Sequence, residues 1–220
     1  MKKLILVTAA LVLLAIGLAV QATAKTITLG SDFEFSGATA PVGTTPWLTT
    51  TFDDGGGTGS VTITLAATSL TDNECVSVWY LNFDPESQVN SLSFSERTRI
   101  GDFEAPSITL ITNGFKADGD GQYDIRLGFA TNDGLATRFT AGDSVSYTVT
   151  GIVGMTADSF NVLSQSGGGY GPFLHAEHVQ SIGPLSGSGW VTGSNVPEPS
   201  SIIALLGGLG SLLAIRRRRA

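Results

Sequence analysis

A single cysteine, Cys75, stands in this chain of 220 residues. One cysteine allows no internal disulfide, so apolar burial and backbone hydrogen bonds must stabilise the folded state. Cys75 begins the strand-like run 75–80, in which valine, tryptophan and tyrosine follow it. This setting predicts a buried, unreactive thiol rather than a nucleophile, and an intermolecular disulfide stays open as an alternative.

Charged residues are also few, and basic residues are fewer than acidic ones. Charged residues make up 14% of the chain, and the segment 25–195 holds 6 basic residues against 18 acidic ones, a net charge of −12. Such a surface repels phosphate backbones, which argues against nucleic-acid binding. A hydrophobic content of 42% still supports a packed interior rather than a disordered chain.

The common catalytic motifs are absent as well. The sequence has no Gly-x-Ser-x-Gly, no His-Glu-x-x-His, no Walker loop and no Gly-x-Gly-x-x-Gly fingerprint. We therefore expect a protein without catalysis. A glycosidase pair among the many carboxylates stays open as an alternative. Trp47, Trp79 and Trp190 could stack on sugars, although tryptophans in an all-β domain more often pack in or around the core.

The middle of the chain alternates apolar and polar residues, most clearly at 61–65, 123–129 and 145–149. Turn-forming clusters rich in Gly, Asp and Asn separate these runs, and no convincing amphipathic helix interrupts them. The pattern predicts one all-β domain over 25–195, an antiparallel β-sandwich of jelly-roll type. Its Gly/Ser-rich end, 183–195, is expected to run from a final strand into a flexible stalk.

Three aspartates form the best candidate metal site. Asp118, Asp120 and Asp124 are interspersed with glycines, which permit the tight, oxygen-lined turn that Ca²⁺ prefers. An EF-hand frame begun at Asp118 would place Arg126 and Phe129 at ligand positions, which excludes an EF-hand. A calcium loop of another type is one hypothesis, and a polar hairpin turn is the other.

A histidine pair is a weaker metal candidate. His175 and His178 flank Glu177, but on a strand these two histidines point to opposite faces. No third histidine and no usable cysteine completes a zinc site. The sequence therefore predicts hydrogen-bonded structural histidines.

The first 24 residues are typical of a secretory signal peptide. Two lysines precede the uncharged apolar run 4–20, and the small residues Ala22 and Ala24 suit a cleavage site before Lys25. An uncleaved N-terminal anchor is the alternative. Either way, the domain that follows is predicted to lie outside the cytoplasm.

The last 25 residues contain three parts in a fixed order. Pro197, Glu198 and Pro199 come first, the apolar run 202–215 follows, and the tail closes on Arg216, Arg217, Arg218 and Arg219. The apolar run is predicted to form a single C-terminal transmembrane helix. Its fourteen residues reach about 21 Å, which is short for a hydrocarbon core of about 30 Å. The arginines are expected to stay on the cytoplasmic side, which leaves the preceding domain outside.

This tail, Val196 to Ala220, resembles the PEP-CTERM sorting signal of Gram-negative bacteria. The resemblance implies recognition by exosortase, a membrane-embedded transpeptidase-like enzyme, and cleavage near Pro197, Glu198 and Pro199. It also implies transient residence in the inner membrane and association with exopolysaccharide and the biofilm matrix. A plain tail anchor that contains the tripeptide by accident is the alternative, although such an anchor should be longer.

Part of the middle segment is similar to an ectodomain that recurs among PEP-CTERM proteins. The residues that carry the similarity are 113–121, Tyr123-Asp124-Ile125, Arg138-Phe139, His178-Val179-Gln180 and Gly187-Ser188-Gly189-Trp190. The similarity implies an exosortase-dependent surface protein and brings no catalytic residues with it.

These observations together predict an exported, exosortase-processed protein of the cell surface or extracellular matrix, without catalysis and without a cofactor, with Ca²⁺ at the aspartates as the alternative. A carbohydrate-binding or carbohydrate-active module is the alternative function. Exosortase and extracellular polysaccharide are the expected partners, and nucleic acid is not expected.

Overall fold

The computed structural model describes residues 23–132 and 137–193, together with the backbone of 195–196. The predicted signal peptide up to Ala22 and the sorting tail from Pro197 onward lie outside the described residues. Within the described ranges, no helix has the length and apolar character needed to cross a membrane.

Two antiparallel sheets form the fold. The strands are β1 Thr26–Ser31, β2 Phe33–Glu34, β3 Leu48–Asp53, β4 Val61–Ala66, β5 Cys75–Leu81, β6 Ser93–Ile100, β7 Ser107–Ala117, β8 Asp120–Gly128, β9 Phe139–Thr140, β10 Ser144–Thr150, β11 His175–Ile182, β12 Gly187–Thr192 and β13 Asn195–Val196. Short 3₁₀ helices occupy Glu86–Ser91 and Ala157–Phe160.

The six-stranded sheet has the order β13-β1-β3-β4-β10-β6, and the second sheet has the order β2-β12-β11-β5-β8-β7, with β9 paired to β5. Neighbouring strands in both sheets are antiparallel. This architecture confirms the predicted all-β sandwich.

Alternating side chains explain why the two sheets pack together. In β4, Val61, Ile63 and Leu65 are buried, whereas the threonines between them are partly exposed. Strand β10 repeats the pattern and pairs with β4 over its whole length. Because burying one such side chain stabilises the fold by about 1.5–3 kcal/mol, each strand contributes several kcal/mol to the interface between the sheets.

The core between the sheets is apolar and aromatic. Trp79 of β5 is completely buried, and its ring lies edge-on to Phe139 at 6.1 Å between centroids. Cys75 begins the same strand and is also buried, which confirms the prediction for this residue. Burial raises the pKa of the Cys75 thiol, so the reactive thiolate form is suppressed.

The Gly/Ser-rich end of the domain, 183–195, contains a strand near the end of the domain, as predicted. This strand is β12, which pairs with β11 and β2, and the first residue of β13 follows where the sequence favoured a stalk. In β13, Val196 lies opposite Thr28 of β1 at the edge of the six-stranded sheet. Backbone pairing, which needs no particular side chain, explains why glycines and serines can form these strands.

Candidate functional site

The aspartates Asp118 and Asp120 lie at a tight β-hairpin. Ala117 pairs with Asp120, so Asp118 and Gly119 alone form the loop between β7 and β8. Both loop residues have positive φ, 52° at Asp118 and 79° at Gly119. Positive φ at both central residues identifies a type I′ turn, which Asp-Gly sequences favour. The polar hairpin turn considered from the sequence is therefore present.

Asp124 does not join these two aspartates. Its Oδ1 accepts a hydrogen bond from the backbone amide of Asn113 at 2.8 Å, and its Oδ2 accepts one from the amide of Phe83 at 3.0 Å. Burial raises the pKa of Asp124, and these two amides oppose that shift. Asp120 is buried, and its Oδ1 accepts from the amide of the next residue, Gly121.

The structure therefore ties two of the three aspartates to backbone amides, one adjacent and two distant in sequence. Among the described residues, no group of three or more His, Cys, Asp or Glu side chains is arranged to hold a metal ion. Calcium binding by Asp118, Asp120 and Asp124 stays a hypothesis from the sequence that these contacts do not favour.

A polar pocket opens beside Asp124, with a volume of about 320 Å³. Glu86 lies in its lining and accepts hydrogen bonds from Asn113 Nδ2 at 2.8 Å and from Gln165 Nε2 at 3.2 Å. Asn82 also lines the pocket, and its Oδ1 accepts no hydrogen bond from the residues that the structure describes. Carboxylates, amides and the hydroxyl of Ser87, with no basic side chain, make up the polar part of this lining. Such a pocket repels anions and offers hydrogen-bonding partners to polar ligands.

The sequence did not indicate this pocket, because its residues come from separate parts of the chain. Asn82 and Glu86 follow β5, Asn113 lies in an irregular stretch of β7, and Gln165 lies in the loop before β11. Among the residues of the pocket, the sequence singles out Asp124 alone, and its spacing from Asp118 and Asp120 favours a calcium site instead.

The histidines of β11 point to opposite faces, as their spacing predicts. His175 Nδ1 lies 2.6 Å from Glu177 Oε1, and Glu177 Oε2 accepts from Ser31 Oγ of β1 at 2.7 Å. Because β1 belongs to the other sheet, this completely buried group joins the two sheets. His178 instead contacts Ser77 Oγ at 2.8 Å, and burial lowers its pKa. Both histidines are thus hydrogen-bonded structural residues.

Only one of the three tryptophans reaches the surface of the sandwich. Trp47 and Trp79 are buried, with their indole N–H groups donating to Gly43 and Thr50 respectively. Trp190 is partly exposed on the outer face of the seven-stranded sheet. Its ring stacks on Tyr80 at 5.4 Å and lies 4.9 Å from the ring of His178.

Along the chain, the predicted processing residues precede and follow the sandwich. Ala24 is exposed two residues before β1, whereas its predicted partner in signal-peptide cleavage, Ala22, lies outside the described residues. The sorting residues Pro197, Glu198 and Pro199, and the arginines 216–219, also lie outside them.

One comparison with known proteins gives a match. A family model described as the PEP-CTERM protein-sorting motif matches residues 195–219, which begin at the first residue of β13 and include all three parts of the tail. No curated protein and no solved structure matches the chain. The chain therefore carries the sorting motif of PEP-CTERM proteins and is an exported target of exosortase.

Proposed function

We propose that this chain is a non-catalytic protein of the cell surface or extracellular matrix, associated with exopolysaccharide. Exosortase removes the tail that begins at Pro197 and releases the β-sandwich to its final location. The observation that carries the proposal is the PEP-CTERM motif at residues 195–219, placed directly after a folded all-β domain.

The junction between domain and tail supports this sequence of events. Strand β13 ends at Val196, and the Pro-Glu-Pro tripeptide follows immediately. Prolines cannot donate to a β-ladder, so the tripeptide is a natural end to the sheet and an extended substrate for a protease-like groove. A cut after Val196 would leave every described strand with the released domain.

The contacts of the chemistry-bearing side chains support a non-catalytic role. Cys75 is buried, the pair of His175 and Glu177 lies between the sheets, and Asp124 is bonded to two backbone amides. A nucleophile or general base must reach its substrate, and Cys75, His175 and Glu177 are buried in the protein interior.

Processing of the tail can be tested with Glu198→Ala and a matched tail variant, Ser201→Ala. Glu198 carries the only charge between the domain and the apolar run, whereas Ser201 lies just beyond the tripeptide. We expect Glu198→Ala to slow tail removal in the producing bacterium, seen as accumulation of unprocessed protein in intact-mass spectra. Equal processing of both variants would contradict the role of the tripeptide.

Carbohydrate binding is the second candidate function, and Trp190 is the observation that favours it. A partly exposed indole on a sheet face can stack on the apolar face of a sugar ring, which the buried Trp47 and Trp79 cannot do. The polar pocket near Asp124 adds amide and carboxylate groups that match hydroxyl groups as partners.

A polysaccharide pull-down with the exported protein tests this second candidate. Because the pocket holds carboxylates and no basic side chain, we expect neutral polysaccharide such as dextran to be retained better than alginate. Trp190→Ala should reduce retention several-fold, whereas Leu185→Ala, at a fully exposed leucine, should not. No retention on either polysaccharide would contradict carbohydrate binding at these two places.

A further inference from the structure

The residue just after the predicted signal-peptide cleavage site is held by a carboxylate. The backbone nitrogen of Lys25 donates to Asp54 Oδ1 at 2.8 Å, and the backbone nitrogen of Asp54 donates to the Lys25 carbonyl at 3.1 Å. This reciprocal pair fixes the position of Lys25 one residue before β1 begins at Thr26. Ala24 on its other side is exposed, so the Ala24–Lys25 peptide bond lies at the surface.

The Asp54 carboxylate is itself positioned by other backbone groups. Its Oδ1 also accepts from the amide of Gly56 at 2.9 Å, and its Oδ2 accepts from the amide of Ala157 at 3.4 Å. Burial raises the pKa of Asp54, but the hydrogen bonds from Lys25, Gly56 and Ala157 together bring it below its usual value. The group is therefore ionised at neutral pH and its orientation does not depend on Lys25 alone.

From this arrangement the structure assigns Asp54 as the binding site for the α-ammonium group that signal-peptide removal creates on Lys25. The inference rests on the proposed export of the chain. Hydrolysis of the Ala24–Lys25 amide by signal peptidase consumes one water, leaves a carboxylate on Ala24 of the released peptide, and leaves a protonated amine on Lys25. The nitrogen that donates to Asp54 as an amide then donates to it as a cation.

Maturation thus converts a hydrogen bond between an amide and the ionised carboxylate into an ion pair between an ammonium group and the same carboxylate, without moving either partner. The positive charge on the nitrogen adds a Coulombic attraction to the existing hydrogen bond. The new ion pair joins the N-terminus to the turn after β3, next to the β1–β3 pairing at Thr26 and Asp53. The precursor, in which the Lys25 nitrogen is an uncharged amide, lacks this ion pair.

Other charges near the new amine come from several elements. The Lys25 side chain pairs with Asp158 through Nζ and Oδ1 at 2.6 Å, so it does not compete for Asp54. Asp53 lies beside Asp54 and accepts from the amide of Gly55 at 2.8 Å. Arg97 lines the same surface depression as Asp53 and Asp54 and donates to Thr62 Oγ1.

The test measures the pKa of the α-amine in the exported protein. A chain processed at Lys25 and after Val196 contains the α-amine and only two lysine side chains, at Lys25 and Lys116. Reductive ¹³C-methylation followed by NMR titration therefore resolves three amine signals. We expect the α-amine to titrate about half a unit above its ordinary range of roughly 7.7–8.0, because a neighbouring carboxylate favours its charged form.

Two variants and one mass measurement separate the possible outcomes. Asp54→Asn should return the α-amine to its ordinary pKa, whereas Asp53→Asn, at the adjacent acid, should leave the upward shift largely in place. An α-amine on Lys25 that titrates alike in wild type and Asp54→Asn overturns the inference and leaves the export proposal intact. An intact mass showing another N-terminus overturns both the cleavage site and the ion pair.

Discussion

At the scale of single residues, Asp124 connects two separate segments through one carboxylate. Its oxygens accept from the amides of Phe83, after β5, and Asn113, within β7. Asn113 has a φ of 52° in the irregular part of β7, where the strand pairing shifts. Asp124 thus provides the acceptor that the regular β-ladder does not supply at this position.

The first prediction concerns Asp124→Ala. Removing the carboxylate leaves two backbone amides without an acceptor, each at a cost of about 1–3 kcal/mol when buried. We expect the free energy of unfolding to fall by roughly 2–4 kcal/mol, measured by urea denaturation of the exported protein. Asp118→Asn, which tolerates the positive φ of the exposed turn, is the control and should change it by less than about 1 kcal/mol. Equal effects of the two variants would refute the structural role of Asp124.

The second prediction concerns alkaline pH and Tyr147. Burial, with a smaller effect of Glu96, raises the pKa of Tyr147 from 10.0 to about 12. The folded state therefore keeps the proton more tightly than the unfolded state, so this contribution to stability is complete below pH 10 and is lost as the pH rises toward 12. Between pH 9 and 11.5, the free energy of unfolding measured with urea should fall by about 2 kcal/mol more in wild type than in Tyr147→Phe. A constant difference between the two proteins would contradict this shift.

Single residues also show which structural features can be predicted from the sequence and which cannot. The Asp-Gly pair at 118–119 predicts a tight turn, because its backbone preference is local. The direction of the Asp124 side chain is not local, because it depends on where Phe83 and Asn113 lie in the folded sheet. The same limit applies to Asn82 and Glu86, whose pocket forms only when distant loops meet.

At the scale of elements, regular alternation made some strands predictable. Strands β4, β8 and β10 each bury alternating apolar side chains, and the sequence indicates all three. Strand β8 departs from the pattern in also burying Asp120 and Asp124. Strand β6 was not identified, because it lies at a sheet edge and most of its side chains are exposed and polar. Its backbone pairing with β10 holds it in place, and such pairing leaves no side-chain pattern.

The third prediction concerns calcium binding at the β7–β8 hairpin. With Asp124 bonded to backbone amides, the turn offers only Asp118 and Asp120, whereas Ca²⁺ takes six to eight oxygen ligands. We expect 5 mM CaCl₂, compared with EDTA, to leave the melting temperature of the exported protein unchanged within about 1 °C. A calcium-dependent rise that disappears in Asp118→Asn would establish the calcium site at this hairpin.

At the scale of the whole molecule, the residues that direct export are contiguous in the sequence. Residues that would form a binding surface are not. The tail from Pro197 to Arg219 can be identified from sequence because its three parts follow one another along the chain. The sandwich that precedes it was predictable as an all-β domain from many short local patterns. A binding surface built from residues far apart in sequence has no comparable signature.

The net charge of the domain also belongs to this scale. With 6 basic and 18 acidic residues between positions 25 and 195, the released sandwich is strongly anionic. Such a charge favours solubility and repels anionic polymers over distances of about 10 Å at 0.1 M salt. This is why the retention experiment compares a neutral with an anionic polysaccharide.

The fourth prediction is the mass of the exported protein, because both proposed cuts change it. Intact-mass spectrometry of protein recovered outside the cells should show a chain that begins at Lys25 and ends near Pro197, without the four terminal arginines. Recovered protein that still carries Arg216, Arg217, Arg218 and Arg219 would contradict exosortase processing and indicate an anchored envelope protein.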